Sequence, residues 1–183
     1  MMRNATVLMS GGIDSAACAH LLAWEGNAIN AVFINHGQAA ATAEERAVRE
    51  ITTRMGADLS CYSVLGSEPF MAGELVGRNA FLVFTTLLLT RARPGILAMG
   101  IHAGTPYWDC SEDFAREMER LVATHSDGKV VFVAPFLTWS KSDVYEYFLT
   151  TGIDVSVTYS CEAGTIPACG RCASCRDRKA LGC

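Results

Sequence analysis

Ala5-Thr6-Val7-Leu8-Met9-Ser10-Gly11-Gly12-Ile13-Asp14-Ser15 is the stretch whose reading decides the fold. Ala5–Met9 reads as a buried strand, the two glycines as a sharp turn, and Ser15–Trp24 as the helix that follows. Such a junction aims successive backbone N–H groups and a helix N-terminus at one spot, where a phosphate binds. Ser10 and Ser15 add hydroxyl donors, and Asp14 could cap the helix or hold a magnesium ion beside the phosphates. No Lys follows the glycines, so this is not a Walker A loop, and the spacing is not GxGxxG. A tight turn in an ordinary α/β domain is the plainer alternative. A lone Gly-Gly would favour it; the six-residue run at the end of a first strand does not.

Outward from this loop, apolar strands alternate with helical segments. Strands are predicted at Ala5–Met9, Ile29–Ile34, Leu59–Val64, Ile96–Ile101 and Val130–Ala134. Helices are predicted at Ser15–Trp24, Thr42–Met55, Asn79–Arg91, Ser111–Thr124 and Lys141–Leu149. Gly26 and Gly56 sit where helix C-caps belong, and Pro94-Gly95 breaks a helix before its strand. Ser140-x-x-Asp143 has the spacing of a capping box with Asp in place of Glu. This alternation predicts a mostly parallel α/β sheet with helices on both faces and ligands at the carboxyl ends of the strands. The rhythm stops near Ile153–Thr158.

Beyond that point Cys161, Cys169, Cys172 and Cys175 form a C-x7-C-G-x-C-x2-C cluster. The close spacing of three thiols on one knuckle, with a fourth from a loop holding Gly164 and Pro167, suits tetrahedral zinc with no open position. A closed site has a structural role, pinning the C-terminal segment to the body. An iron–sulfur cluster is the rival, although the usual ferredoxin spacings do not match. Cys18, Cys61, Cys110 and Cys183 are scattered, which fits a reducing cytoplasm better than a disulfide framework.

The 183 residues, half of them hydrophobic, suffice for one ample core. The net charge of −4 argues against a general nucleic-acid surface. Arg171, Arg176, Arg178 and Lys179 do cluster near the last cysteines, either as a solvated basic tail or as an anion site. No secretory leader or membrane span is expected; the longest apolar stretch, Ala80–Leu89, is too short and reads as a buried helix.

Ser-Gly-Gly-x-Asp-Ser resembles the pyrophosphate (PP) loop of enzymes that split ATP into AMP and pyrophosphate. Further segments extend the likeness: Gly37-Gln38, Arg78-Asn79, Tyr107-Trp108-Asp109-Cys110, Ala134-Pro135-Phe136-Leu137, Ser140-Lys141, Tyr159-Ser160-Cys161 and Cys169-Gly170-x-Cys172-x-x-Cys175-x-x-Arg178. Taken in order over nearly the whole chain, they resemble the 7-cyano-7-deazaguanine synthase (QueC) family of queuosine biosynthesis. The resemblance implies a Rossmann-like fold of the adenine nucleotide alpha hydrolase kind, with residues 1–152 as the ATP-binding domain and 153–183 as a zinc segment packed on it. It implies a cytoplasmic, ATP-dependent ligase that adenylates 7-carboxy-7-deazaguanine, aminates it with ammonia to the amide, and dehydrates the amide to the nitrile. ATP, magnesium and zinc are the expected cofactors.

On that reading Met9, Ser10, Gly11, Gly12, Asp14, Ser15, Asn35 and His36 surround ATP, and Asp14, Ser15 and Lys141 carry the chemistry. Arg78, Asn79, Tyr107 and Asp109 are the substrate candidates. The plainer alternatives are an exposed Lys141, a helix-capping Asn79, and a loop acid with core aromatics at Tyr107–Asp109. His36 and His102 both lie just past strand ends, facing the same crevice, where either could contact adenine or shuttle a proton; a structural histidine is the plainer reading. Cys110 lacks a visible partner base and reads as inert.

The sequence departs from the family pattern in three places. The stretch between Leu65 and Arg78 is shorter, Asn35-His36-Gly37-Gln38 replaces Asp-Tyr-Gly-Gln, and the tail ends soon after the cysteines. A divergent ligase that stops at the amide, or joins the acid to an amine on a protein, is therefore an alternative, as are a transfer-RNA sulfurtransferase and a non-catalytic nucleotide-binding zinc protein. A homodimer is the family's habit.

Overall fold

The computed structural model describes residues 3–66, 70, 75–102, 105 and 107–183. Five strands, β1 (Asn4–Leu8), β2 (Ala28–Asn35), β3 (Asp58–Ser63), β4 (Gly95–Met99) and β5 (Val130–Val133), form one sheet in the order β3-β2-β1-β4-β5. Every neighbouring pair is parallel, with Val7 opposite Ala31 on one side and Ala98 on the other. Helices α1 (Ile13–Trp24), α2 (Ala41–Met55), α3 (Arg78–Leu89), α4 (Glu112–His125) and α5 (Lys141–Thr150) make the crossovers or follow the last strand. The fold is a Rossmann-like α/β sheet.

Strand alternation splits the interior into two cores. Val7, Met9, Ala31, Phe33 and Ala98 face α1, α2 and α5, where Ala16, Ala17, Val48, Ile51, Val144 and Phe148 cover them. Leu8, Val32, Ile34, Leu97 and Met99 face α3 and α4, where Val83, Leu87, Phe114 and Val122 lie. β1 is thus buried on both faces, as a central parallel strand must be. Each fully buried Val, Leu or Phe contributes roughly 1.5–3 kcal/mol. At the β3 edge, Asp58, Ser60, Cys61 and Ser63 are exposed, and polar residues there blunt further pairing.

Several expectations need adjustment. α3 is not buried throughout: only Asn79, Val83, Thr86 and Leu87 point inward, while Leu88 is 76% exposed. An outer helix on an open sheet needs only one apolar stripe, whatever its composition. Gly77, at φ +76, precedes α3 as its N-cap, so Asn79 lies inside the first turn and does not cap the helix. Ser111 is the N-cap of α4, its hydroxyl accepting from the Phe114 N–H, and the helix begins one residue later than expected. α6 (Ala173–Ala180), a helix of eight residues with only Cys175 buried, is not among the helices expected from the sequence. The Ser140–Asp143 capping box is present in full at α5. No helix among the described residues is long and apolar enough to cross a membrane.

Candidate active site

The order β3-β2-β1-β4-β5 places a topological switch between β1 and β4, because the chain winds outward from β1 to β3 and then returns to β4 on the other side. Crevices form at the carboxyl ends of strands at such a point. The Ser10–Ser15 loop leaves β1 there, and Gly100–His102 leaves β4 beside it. Packing is close: a Cβ on Gly100 would lie 2.6 Å from the Asp14 carbonyl oxygen. Gly11, at φ +78, has the same constraint on its other side, where a Cβ would lie 2.8 Å from the Glu44 carbonyl oxygen.

Within the loop, Ser15 turns inward. Its hydroxyl donates to the Gly12 carbonyl at 3.0 Å and accepts from the Ser10 N–H at 3.2 Å. Ser10 stays exposed, and the Met9 side chain is in the core. Gly12 caps α1 in extended backbone with no side-chain hydrogen bond. The first-turn N–H groups are therefore left for an outside acceptor, which water or an anion can supply.

Asp14 and Lys141 meet across the crevice. The Lys141 ammonium donates to both Asp14 carboxylate oxygens at 2.6 Å, and His102 Nε2 lies 3.8 Å from Oδ2. Each side chain of the Asp14–Lys141 pair is 26% exposed, so the pair is reachable from solvent. Lys141 opens α5, whose capping box fixes where its side chain starts. His102 itself is buried and bridges to Phe136.

A second polar group lies past β2 and at the start of α3. Asn35 Oδ1 accepts from the Gly37 N–H at 3.0 Å, tightening the turn. The His36 N–H donates to Gln38 Oε1 at 2.9 Å, and Gln38 Nε2 donates to Glu44 Oε2 at 2.8 Å. Burial, reinforced by the Arg78 charge, lowers the basicity of His36, whose ring contacts Phe70 and Phe81. Burial raises the Glu44 carboxyl above the usual carboxylate range, against the pull of Gln38 and Arg78.

Arg78 donates to Asn79 Oδ1 at 3.2 Å, and the buried Asn79 amide donates to the Asp109 carbonyl at 2.9 Å. The Asp109 carboxylate accepts the Asn79 N–H at 3.4 Å. Tyr107 precedes the 3₁₀ turn Trp108–Cys110 and is half-buried, while Trp108 packs edge-on against Phe114. Burial pushes the Cys110 thiol up, which keeps it protonated and inert. The stretch between Leu65 and Arg78 lies largely outside the described residues.

The four cysteines converge. The Sγ atoms of Cys161, Cys169, Cys172 and Cys175 all lie within 4.8 Å of one another. Zinc–thiolate bonds of about 2.3 Å demand S···S edges of about 3.8 Å, and Cys169 and Cys175 stand 3.9 Å apart. Against burial, the Cys169 N–H and Thr165 draw the Cys161 thiol down to about 5. Burial and neighbouring sulfurs push Cys175 up to about 12. Four adjoining thiolates need a cation to ionise together, and a closed S4 set could hold zinc.

This knuckle bears on the crevice. The Tyr159 N–H donates to the Gly11 carbonyl at 2.8 Å, and a Cβ on Gly164 would strike the Ala39 carbonyl. Arg178 donates to Thr158 and Val155, tying α6 back to the body. That resolves one of the basic tail residues as structural. Sequence reasoning passed over Glu44, since Glu44-Glu45 in a polar helix reads as solvated surface; only its contact with Gln38 distinguishes it.

Comparison with known proteins bears on this arrangement directly. The profile of the family described as "Queuosine biosynthesis protein QueC" matches residues 4–68 and 70–181. The chain belongs to the QueC family. A 7-cyano-7-deazaguanine synthase of Persephonella marina is 30% identical over 201 aligned positions, covering 94% of this chain and 88% of that protein. One from Methanoculleus marisnigri is 28% identical, covering 97% of this chain and 93% of its own length. Both alignments exceed the 183 residues here, so these QueC relatives carry residues without a counterpart in this chain. Among solved structures, a predicted subunit of tRNA methyltransferase from Methanocaldococcus jannaschii superposes with a TM-score of 0.52 at 14% identity, over 81% of this chain and 75% of that one. That likeness speaks for the fold alone.

Proposed function

We propose that this QueC-family chain is an ATP-dependent, AMP-forming ligase acting on a 7-carboxy-7-deazaguanine-like acid. The observation that carries the reading is the meeting of an uncapped Ser-Gly-Gly loop with the Asp14–Lys141 pair at the switch point. ATP and the acid are substrates; a carboxylate oxygen becomes a good leaving group only once AMP is attached.

In this reading the Gly12–Ser15 amides and the Ser10 hydroxyl hold the phosphates, with Met9, Asn35 and His36 contributing to the nucleotide's surroundings. Ser15 keeps the loop in shape. Asp14 would hold magnesium, which offsets phosphate charge when bound. Lys141, starting from a capped helix end, stabilises charge that develops on the departing pyrophosphate. Arg78 faces the acid's carboxylate, Asn79 fixes the Asp109 loop, and Asp109 accepts from the N–H edge of the base beside Tyr107. Residues 153–183, held by zinc, form a segment that buttresses the 1–152 nucleotide domain through Tyr159.

The test is mass spectrometry of products after incubation with magnesium-ATP, 7-carboxy-7-deazaguanine and ammonia. Nitrile with AMP and pyrophosphate is expected. An end-point at amide or adenylate would identify a ligase with another amine acceptor, such as a protein. Absence of AMP from zinc-loaded protein would overturn the reading.

A further inference from the structure

Glu44 is a partly buried acid that the roles above leave unused. Its backbone packs on Gly11, at the phosphate loop. Its carboxylate accepts one hydrogen bond, from Gln38, and makes no salt bridge among the described residues. Arg78, from α3, is close enough to act on it electrostatically, and Glu44 in turn acts on Tyr159 of the C-terminal segment. The Glu44 backbone thus touches the phosphate loop, while its carboxylate is held by Gln38 and interacts electrostatically with Arg78. In the proposed reaction, the loop and Arg78 are the two places where the phosphate and the acid must meet.

We infer that Glu44 is the general base for the amine that attacks the activated acid, with Gln38 holding its carboxylate in place. The inference rests on the adenylation reading. Ammonium must lose a proton before its nitrogen can attack. In the step, Glu44 takes one proton from ammonium and passes it to water; the C–N bond then forms as the C–O bond to AMP breaks with its electron pair leaving on AMP, and the second proton goes from the product nitrogen to water. Burial that raises a carboxyl's proton affinity brings it nearer the neutral range where such a base works best.

The experiment uses the full zinc-loaded chain and the substitution Glu44→Gln, which retains an oxygen for the Gln38 amide. Three rates are compared: acid-dependent ATP–pyrophosphate exchange, amide formation from ammonium, and hydroxamate formation from hydroxylamine. Hydroxylamine is uncharged at neutral pH and needs no prior deprotonation. The expected result is an amide rate lower by about 100-fold or more, with exchange and hydroxamate close to the parent rates. Glu44→Asp, which keeps a carboxylate, is expected to recover part of the amide rate, and Glu45→Gln none of the defect. Amide and hydroxamate falling together would make Glu44 a structural residue, and an unchanged amide rate would remove it from the reaction; either overturns the inference. Lack of acid-dependent exchange in the parent chain would instead overturn the adenylation reading, before any substitution is made.

Discussion

The two flanks of the crevice are held by different physics. On the α/β side, two cores of buried Val, Leu, Ile and Phe fix the strands, and the phosphate loop takes its shape from close backbone packing. On the knuckle side, only Cys161 and Cys175 are buried beyond Thr158, so there is almost no apolar surface to hide. That side has a convergent S4 set and a few hydrogen bonds from Arg178. Yet both sides meet at Gly11, packed on α2 and bonded to Tyr159. A segment with almost no core of its own thus touches the loop, and its four thiols are placed where they could hold a metal ion.

The widest break in this comparison comes from Cys172→Ser. A structural zinc site contributes on the order of 10 kcal/mol to the segment it organises. Loss of about one bound zinc per chain is expected by elemental analysis, with proteolysis confined to the C-terminal segment and the α/β body intact. If the segment stays protected without metal, packing and not coordination holds it. Asp14→Asn acts on the opposite flank. The Asp14–Lys141 pair is solvent-screened and worth about 1 kcal/mol or less to stability, whereas acid-dependent exchange is expected to drop about 10²–10³-fold. An unchanged exchange rate would remove Asp14 from the phosphate site.

Backbone packing is isolated by two glycines. Gly11→Ala combines a left-handed φ with a clash against α2, and should cost roughly 2–4 kcal/mol in denaturant unfolding. Gly26→Ala has a similar φ of +87 but open space around it, and should cost about 1–2 kcal/mol. Equal costs would mean that contact with α2 is not what constrains the loop.

The smallest effect is the stability of Glu44→Gln. Because the folded carboxyl is raised above its unfolded value, the folded chain binds that proton more tightly, and this contribution to stability declines as pH rises through the folded value. Glu44→Gln removes the cost of ionising a partly buried acid, so at neutral pH it should be neutral or stabilising by up to about 1 kcal/mol, with the difference shrinking as the pH falls towards 4. A clear loss of thermal stability at neutral pH would show that the Glu44–Gln38 contact matters more than its desolvation.

Local sequence by itself determined the elements. The β1–loop–α1 junction, the five strands, the five main helices and the Ser140–Asp143 box follow from apolar runs, glycine breaks and cap spacing, all set within a few residues. The cysteine spacing marked a metal-type knuckle for the same reason, since C-x2-C geometry is local. α6 was not legible, because its order comes from Cys175 and from Arg178 reaching back to Thr158, not from an apolar stripe. The inward stripe of α3 was likewise hidden, because apolar residues lie all round the helix while two of its four buried residues, Asn79 and Thr86, are polar. Tertiary structure alone decided which distant groups meet: Asp14 and Lys141, 127 residues apart, within 2.6 Å, Tyr159 against Gly11, and the Glu44 backbone against Gly11. Such meetings depend on strand order and on which loops the switch point brings together, and no window of local sequence contains that information.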